Sequence, residues 1–215
     1  TVLLLAGLCS PLQGQYELQF TGGFVVPHRP EMGRLVTGHA LGIRGSRWWV
    51  PEGEWAHVSG RWGIRQGVQL NWISTGSEVL GNQFIGLWLT RFPIRNKGNL
   101  VLGIGPGWSS ASYRDLGSSS FALATPWNLG LQVGVSHRIR LKAPLHLSTG
   151  LSLTHLSNGG LRLPNLGTNA ACMTLAAHWG SSPMRYPEVI VPHAETKRQA
   201  IWNVGGRLGA RDAGL

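Results

Sequence analysis

The chain is poor in charge. Only 13% of its 215 residues are Asp, Glu, Lys or Arg, where a soluble domain usually carries about 25%. A surface wetted on all sides needs more, so part of this one is expected to face something other than water. Long apolar runs are also missing. No window reaches the roughly 18 uninterrupted apolar residues of a membrane-spanning helix. That leaves a closed barrel, the other spanning structure lipid tolerates, because it has no open sheet edge. Cysteine is scarce, with Cys9 and Cys172 alone, and acids (9) are outnumbered by Lys and Arg (19) for a net charge of +10. A nucleic-acid binder would gather those cations on one face. Here Arg44, Arg47, Arg61, Arg91, Arg95, Arg138 and Arg140 fall mostly singly, at segment ends. Anionic lipid headgroups suit such a rim equally well, and charge alone does not decide.

Glycine (31) and tryptophan (10) are abundant, and the main pattern is alternation. Over residues 127–136 the odd positions are Trp127, Leu129, Leu131, Val133 and Val135, and the even ones Asn128, Gly130, Gln132, Gly134 and Ser136. One face is apolar and the other polar or small, a period of two. Residues 145–156 repeat it, with Leu145, Leu147, Leu151 and Leu153 against His146, Ser148, Gly150, Ser152 and Thr154. Similar stretches cover residues 16–26, 39–49, 83–92, 100–109 and 169–179, with one more strand inside 55–74, its first half irregular. The expected fold is all-β: an eight-stranded antiparallel up-and-down transmembrane β-barrel, with strands of about the 9–11 residues a tilted membrane strand needs. Trp48, Trp49, Trp55, Trp72, Trp108, Trp127 and Trp179 lie near strand ends, as interface girdles would. The competing reading is a soluble β-sandwich or lipocalin-like barrel with its apolar face turned inward. Alternation alone does not say which face is inside.

Three segments are expected. Residues 1–14 read as a signal-peptide remnant, an apolar run without its positive start. If Cys9 leaves with it, Cys172 has no internal disulfide partner. Residues 15–180 form the barrel. Residues 181–215 read as a linker followed by a further strand's beginning or a truncated C-terminal extension.

The most informative stretch is 154–169. His155 and Ser157 are two apart on a strand, so both point to one face. A serine hydroxyl is a weak nucleophile until a neighbouring base takes its proton, and histidine is the usual base. Asn158-Gly159-Gly160 gives a tight turn with open backbone N–H groups, and these, with the Asn158 and Asn165 side chains, suit a developing oxyanion. Both reactive residues share odd parity with Leu151 and Leu153. If that face meets lipid, the pair meets lipid too, and the substrate class is an amphiphile's ester. Taken on spacing alone, a His and a Ser at a strand end are more often hydrogen-bonded turn residues.

The string H-x-S-N-G-G-L-x-x-P-N-x-G, from His155 to Gly167, resembles the active-site segment of the lipid A 3-O-deacylase (PagL-type, acyloxyacyl hydrolase-like) family. Pro27-His28 through Thr37-Gly38-His39, and Gly76-Ser77-Glu78-Val79-Leu80-Gly81, are similar to longer members from Bacteroidetes-like bacteria. The resemblance spans roughly residues 16–179 and implies an eight-stranded outer-membrane barrel that removes an ester-linked, usually 3-hydroxylated acyl chain from lipid A. It implies Ser157 as nucleophile and His155 as general base. It also implies Gly160 N–H and Asn165 as oxyanion donors, with Asn158 supporting the turn. The family's acid, a Glu fourteen residues after the His, is replaced here by Asn169. An amide carbonyl can still accept the imidazole N–H, as in Cys-His-Asn sites, but it cannot stabilise an imidazolium as a carboxylate does. Glu78 is the alternative orienting acid.

The expected function is therefore a carboxylic ester hydrolase acting on lipid A or lipopolysaccharide, in the outer membrane of a Gram-negative bacterium. No metal, cofactor or nucleic acid is expected, and the oligomeric state is left open. Arg162, with Arg138 or Arg140, is the candidate for lipid A phosphates. The alternative is a catalytically inactive structural barrel whose motif has decayed, with Asn169 as its best support. His28 and His39 carry no metal expectation, since no second ligand cluster accompanies them. The Gly103-Ile104-Gly105 string leads to Pro106 and no helix, so it is no dinucleotide fingerprint. Arg47-Trp48-Trp49 reads as a girdle and not as a base-stacking platform.

Overall fold

A computed structural model describes residues 14–51, 56–94, 97–112, 122–139, 146–161, 163 and 165–180. The expected leader lies outside these apart from Gly14, and the expected linker and further strand at 181–215 lie wholly outside. Eight strands follow in chain order: β1 (Gln15–Val25), β2 (Ala40–Trp49), β3 (Arg65–Ser74), β4 (Asn82–Ile94), β5 (Gly98–Ser109), β6 (Trp127–Ile139), β7 (His146–Ser157) and β8 (Thr168–Gly180). Each pairs antiparallel with its chain neighbours, and β1 pairs with β8 to close the barrel. The irregular first half of residues 55–74 contains a short helix, Ala56–Trp62.

The two faces settle which side is inside. On β7, Leu151 and Leu153 are 58% and 41% exposed, while Ser152 and Thr154 between them are 8% and 2% exposed. The same holds around the wall: Phe20, Phe24, Leu41, Ile43, Leu70, Phe84, Leu129 and Met173 face outward, and Glu17, Arg44, Gln69, Asn71, Arg91 and Gln132 face the lumen. A soluble ligand-binding barrel would be built the other way round. An apolar outer band over a polar interior is the build of a barrel whose solvent is lipid.

Lumen charges are held by partners inside the barrel. Arg44 donates to Ser152 Oγ at 2.9 Å and Thr154 Oγ1 at 3.3 Å. Glu17 is bonded by Arg91, accepts from Trp48 Nε1 at 3.0 Å and lies 3.1 Å from His178 Nδ1. The Arg91 guanidinium also lies 3.7 Å from the Trp48 ring centroid. Trp48 therefore belongs to the lumen and not to the girdle expected from its position, because it falls on the inward parity of β2. Trp72, Phe84, Trp108 and Trp127 do face outward, and the strand registers set them side by side across β3 to β6. Tyr16 stacks on Trp179 at the other end.

The interior changes character toward the end that carries the 26–39, 75–81 and 158–167 connections. There Val25, Met32, Ile73, Leu80, Ile85, Leu123, Leu156 and Ala170 pack into an apolar plug. The candidate site is built on the outer wall beside this plug.

Candidate active site

Alternation on β7 puts Leu156 into the plug, fully buried, and turns its two neighbours outward. Those neighbours are His155 and Ser157, both half-buried on the lipid-facing wall. The imidazole Nε2 lies 2.9 Å from Ser157 Oγ. Across the sheet His155 is in direct register with Asn169 of β8. Facing residues on neighbouring strands have Cβ atoms about 4.5–5.5 Å apart, so the two side chains meet, and His155 Nδ1 lies 2.7 Å from Asn169 Oδ1. An amide oxygen only accepts, so Nδ1 carries the proton and Nε2 is left to accept the Ser157 hydroxyl. That tautomer is the one a general base needs.

A further histidine continues the chain. Asn169 Nδ2 lies 3.0 Å from His28 Nδ1. The β1–β8 ladder runs one step past β1, where Val26 N–H donates to the Asn169 carbonyl at 2.7 Å. Even positions of β1 face outward, and His28 keeps that parity. The sequence reading gave His28 no role; extending β1's alternation beyond Val25 was the signal that could have found it.

The turn after Ser157 is held by side chains. Asn158 N–H donates to Asn165 Oδ1 at 3.2 Å, and Gly160 N–H donates to Asn158 Oδ1 at 3.0 Å. Gly159 and Gly160 have φ of +67° and +79°, which side chains rarely tolerate. The Gly160 N–H is thus already bonded to Asn158, and the Asn165 oxygen is engaged, which leaves the Asn165 NH2 as the group to donate. Gly167, which closes the matching string, has φ +69°, and a Cβ there would stand 2.8 Å from His155 Cε1. Its backbone N–H is tied to the Ala122 carbonyl at 2.8 Å. Only glycine lets the chain pass this close to the imidazole.

Glu78 is exposed in the 75–81 connection, and the nitrogen it would orient is bonded to Asn169. Arg138 lies at the opposite end of the barrel, where its N–H donates to the Lys97 carbonyl. It therefore cannot meet the headgroup of a lipid whose ester sits at Ser157. Arg140 and Arg162 lie outside the described residues.

A shallow apolar groove starts at His155 and crosses the outer wall over Leu131 and Val133 of β6, Leu102 and Ile104 of β5, and Trp88 of β4. His155, Leu131, Ile104 and Trp88 form one register row. His155 is two residues from its strand's end (157 − 155) and Trp88 six from its own (88 − 82). The groove thus runs from the rim down into the apolar band. Three inter-strand spacings make it about 14 Å long.

Comparison with curated proteins finds no match. Among solved structures, the chain is similar to the crystal structure of the outer membrane enzyme PagL, at 14% identity and a TM-score of 0.41, covering 74% of this chain and 97% of that one. It is also similar to the solid-state NMR structure of outer membrane protein AlkL in DMPC lipid bilayers, at 10% identity and a TM-score of 0.29, covering 79% and 89%. The family model described as lipid A 3-O-deacylase (PagL) matches residues 38–178, which include the whole His155–Asn169 segment and seven strands in whole or nearly so. The chain belongs to the lipid A 3-O-deacylase (PagL) family.

Proposed function

We propose that this protein is a serine esterase of the Gram-negative outer membrane that removes an ester-linked, 3-hydroxylated acyl chain from lipid A. The single observation that carries the reading is the unbroken Ser157–His155–Asn169 hydrogen-bond chain on the lipid-facing wall. His155 Nε2 takes the Ser157 proton as Oγ attacks the acyl carbonyl. The tetrahedral intermediate collapses, His155 returns that proton to the departing sugar oxygen, and an acyl-Ser157 ester remains. Water, deprotonated by His155, then releases the fatty acid and restores the serine. The Asn165 amide NH2 serves as one oxyanion donor. Gly160 N–H serves as the other once the carbonyl oxygen displaces Asn158 Oδ1 from it.

The lipid-facing direction fits the substrate. The acyl chain stays in the groove, which is about 14 Å long, while the ester sits at the rim. An inactive barrel with a decayed motif is disfavoured by the same chain of contacts: Asn169 preserves the register, the distance and the acceptor that the imidazole needs.

The test is the mass profile of lipid A from cells with and without this chain. Loss of one hydroxyacyl chain is expected, and it should vanish in Ser157→Ala. An unchanged profile, or full activity in the Ser157→Ala variant, refutes the proposal.

A further inference from the structure

A carboxylate can face an imidazole with either oxygen, but an amide cannot. With Oδ1 toward His155, Asn169 holds the proton on Nδ1 and leaves Nε2 free for Ser157. Turned over, its NH2 would donate to Nδ1, the imidazole proton would move to Nε2, and Ser157 would have no base. The two arrangements occupy the same space, so packing does not choose between them. Something must tell the two ends of this amide apart, and a hydrogen-bond partner does that.

His28 is placed to do so. Its Nδ1 lies 3.0 Å from Asn169 Nδ2 and accepts that N–H when its own proton is on Nε2. Reversing the amide would set Oδ1 against the His28 lone pair, and relieving that clash would require His28 to move its own proton from Nε2 to Nδ1 as His155 moves its proton the other way. The contact is built in by the backbone: Val26 N–H is bonded to the Asn169 carbonyl, and Pro27 and Pro30 bracket the following turn. His28 also lies outside the span matched by the family model, residues 38–178.

We infer that His28 is a positioning residue: it fixes the amide of Asn169 so that the oxygen faces His155, doing for an asparagine what a carboxylate in that place would not require. The inference rests on the serine-esterase reading of the site.

The test compares His28→Ala, in the wild-type and the Asn169→Asp backgrounds, with His28→Asp in the wild-type background. The readouts are fatty acid released from lipid A in mixed micelles, and the rate at which Ser157 is labelled by an alkyl fluorophosphonate. Losing one neutral hydrogen bond should lower kcat and the labelling rate about three- to tenfold in His28→Ala, with KM held within about twofold. His28→Asp puts a group that only accepts where Nδ1 stood and should recover most of the loss. In the Asn169→Asp background the two carboxylate oxygens are equivalent, and His28→Ala should change kcat by less than about twofold. An unimpaired His28→Ala, an unrescued His28→Asp, or an equal loss from His28→Ala in both backgrounds overturns the inference and leaves the esterase reading standing. A wild-type protein that neither deacylates nor is labelled overturns both.

Discussion

Replacing Asn169 by Asp tests how much this site loses by using an amide. The two side chains have the same length, so the carboxylate should occupy the position that now lies 2.7 Å from His155 Nδ1. What changes is charge. As Ser157 loses its proton, His155 becomes an imidazolium. Facing the amide, its bond goes from neutral to singly charged; facing a carboxylate, it goes from singly charged to an ion pair. Two unit charges about 4 Å apart attract by about 1 kcal/mol in bulk water and about 4 kcal/mol near a protein surface. Relative to the amide, the carboxylate should therefore favour the transition state over the ground state by at least about 1 kcal/mol, a rise in kcat of about fivefold or more. A new charge on this wall is tolerable because residue 169 lies one position from its strand's end, where lipid-facing charges cost about 0–1 kcal/mol.

The assay is fatty-acid release from lipid A in mixed micelles, with the folded fraction checked by the gel shift between heated and unheated samples. Asn169→Ala serves as the control. It removes the acceptor and should lower kcat about 100-fold or more, since the tautomer is no longer held. If Asn169→Asp is folded but no faster than wild type, charge at this position does not limit the reaction. If Asn169→Ala retains wild-type activity, the orienting role itself is refuted.

Three other perturbations address separate parts of the structure. Gly167→Ala should fold but lose at least about tenfold in activity, because its Cβ would press on His155 Cε1 at 2.8 Å and a 1 Å misplacement of a reacting group can cost about 100-fold; wild-type turnover would contradict the close approach. Trp88→Ala opens the far end of the groove and should shift the released fatty acids toward longer chains, by gas chromatography of the products from a mixed-length lipid A pool; an unchanged distribution would mean that the acyl chain lies elsewhere. Glu17→Ala leaves Arg91 buried without its counter-ion and should lower stability by about 3–5 kcal/mol, measured as the urea midpoint for unfolding in detergent; a midpoint equal to wild type would show that the lumen pair is not holding the barrel together.

Much of this was legible before any coordinates, because a barrel wall is a period-two object and the sequence shows that period openly. Strict alternation at 127–136 and 145–156 located β6 and β7, and parity tied His155 and Ser157 to the face of Leu151 and Leu153. The inside-out choice was not in the alternation itself; it came from the shortage of charge. What stayed hidden came from contacts between distant segments. Trp48 looked like a girdle residue by its place near a strand end, but its parity sends it into the lumen to meet Glu17 and Arg91, which are far off in sequence. Arg138 looked like a headgroup contact by its charge, although strand order already sets the ends of β6 and β7 on opposite sides of an up-and-down barrel. His28 sits past the last regular residue of β1, where alternation is no longer an obvious guide. Gly167 was matched within the string, yet its role depends on a through-space approach to His155.

The placement of the reactive pair is constrained from both sides of the wall. Inside, at the level of the site, the lumen holds the apolar plug, to which Leu156 contributes with no exposed surface, and the buried Gln83–Thr168 hydrogen bond beside it, whose donor and acceptor already serve each other. A shift of one residue would push the imidazole and the hydroxyl into that plug. Among aliphatic side chains their hydrogen-bond partners would be lost, at a cost of about 1–3 kcal/mol for each unsatisfied group. It would also move Leu156 to the outer wall and leave a cavity where it had packed. Histidine and serine separated by one apolar residue is thus what this wall demands if the chemistry is to be done on its lipid side. The intervening leucine anchors the strand, and the two residues flanking it are free to face the ester.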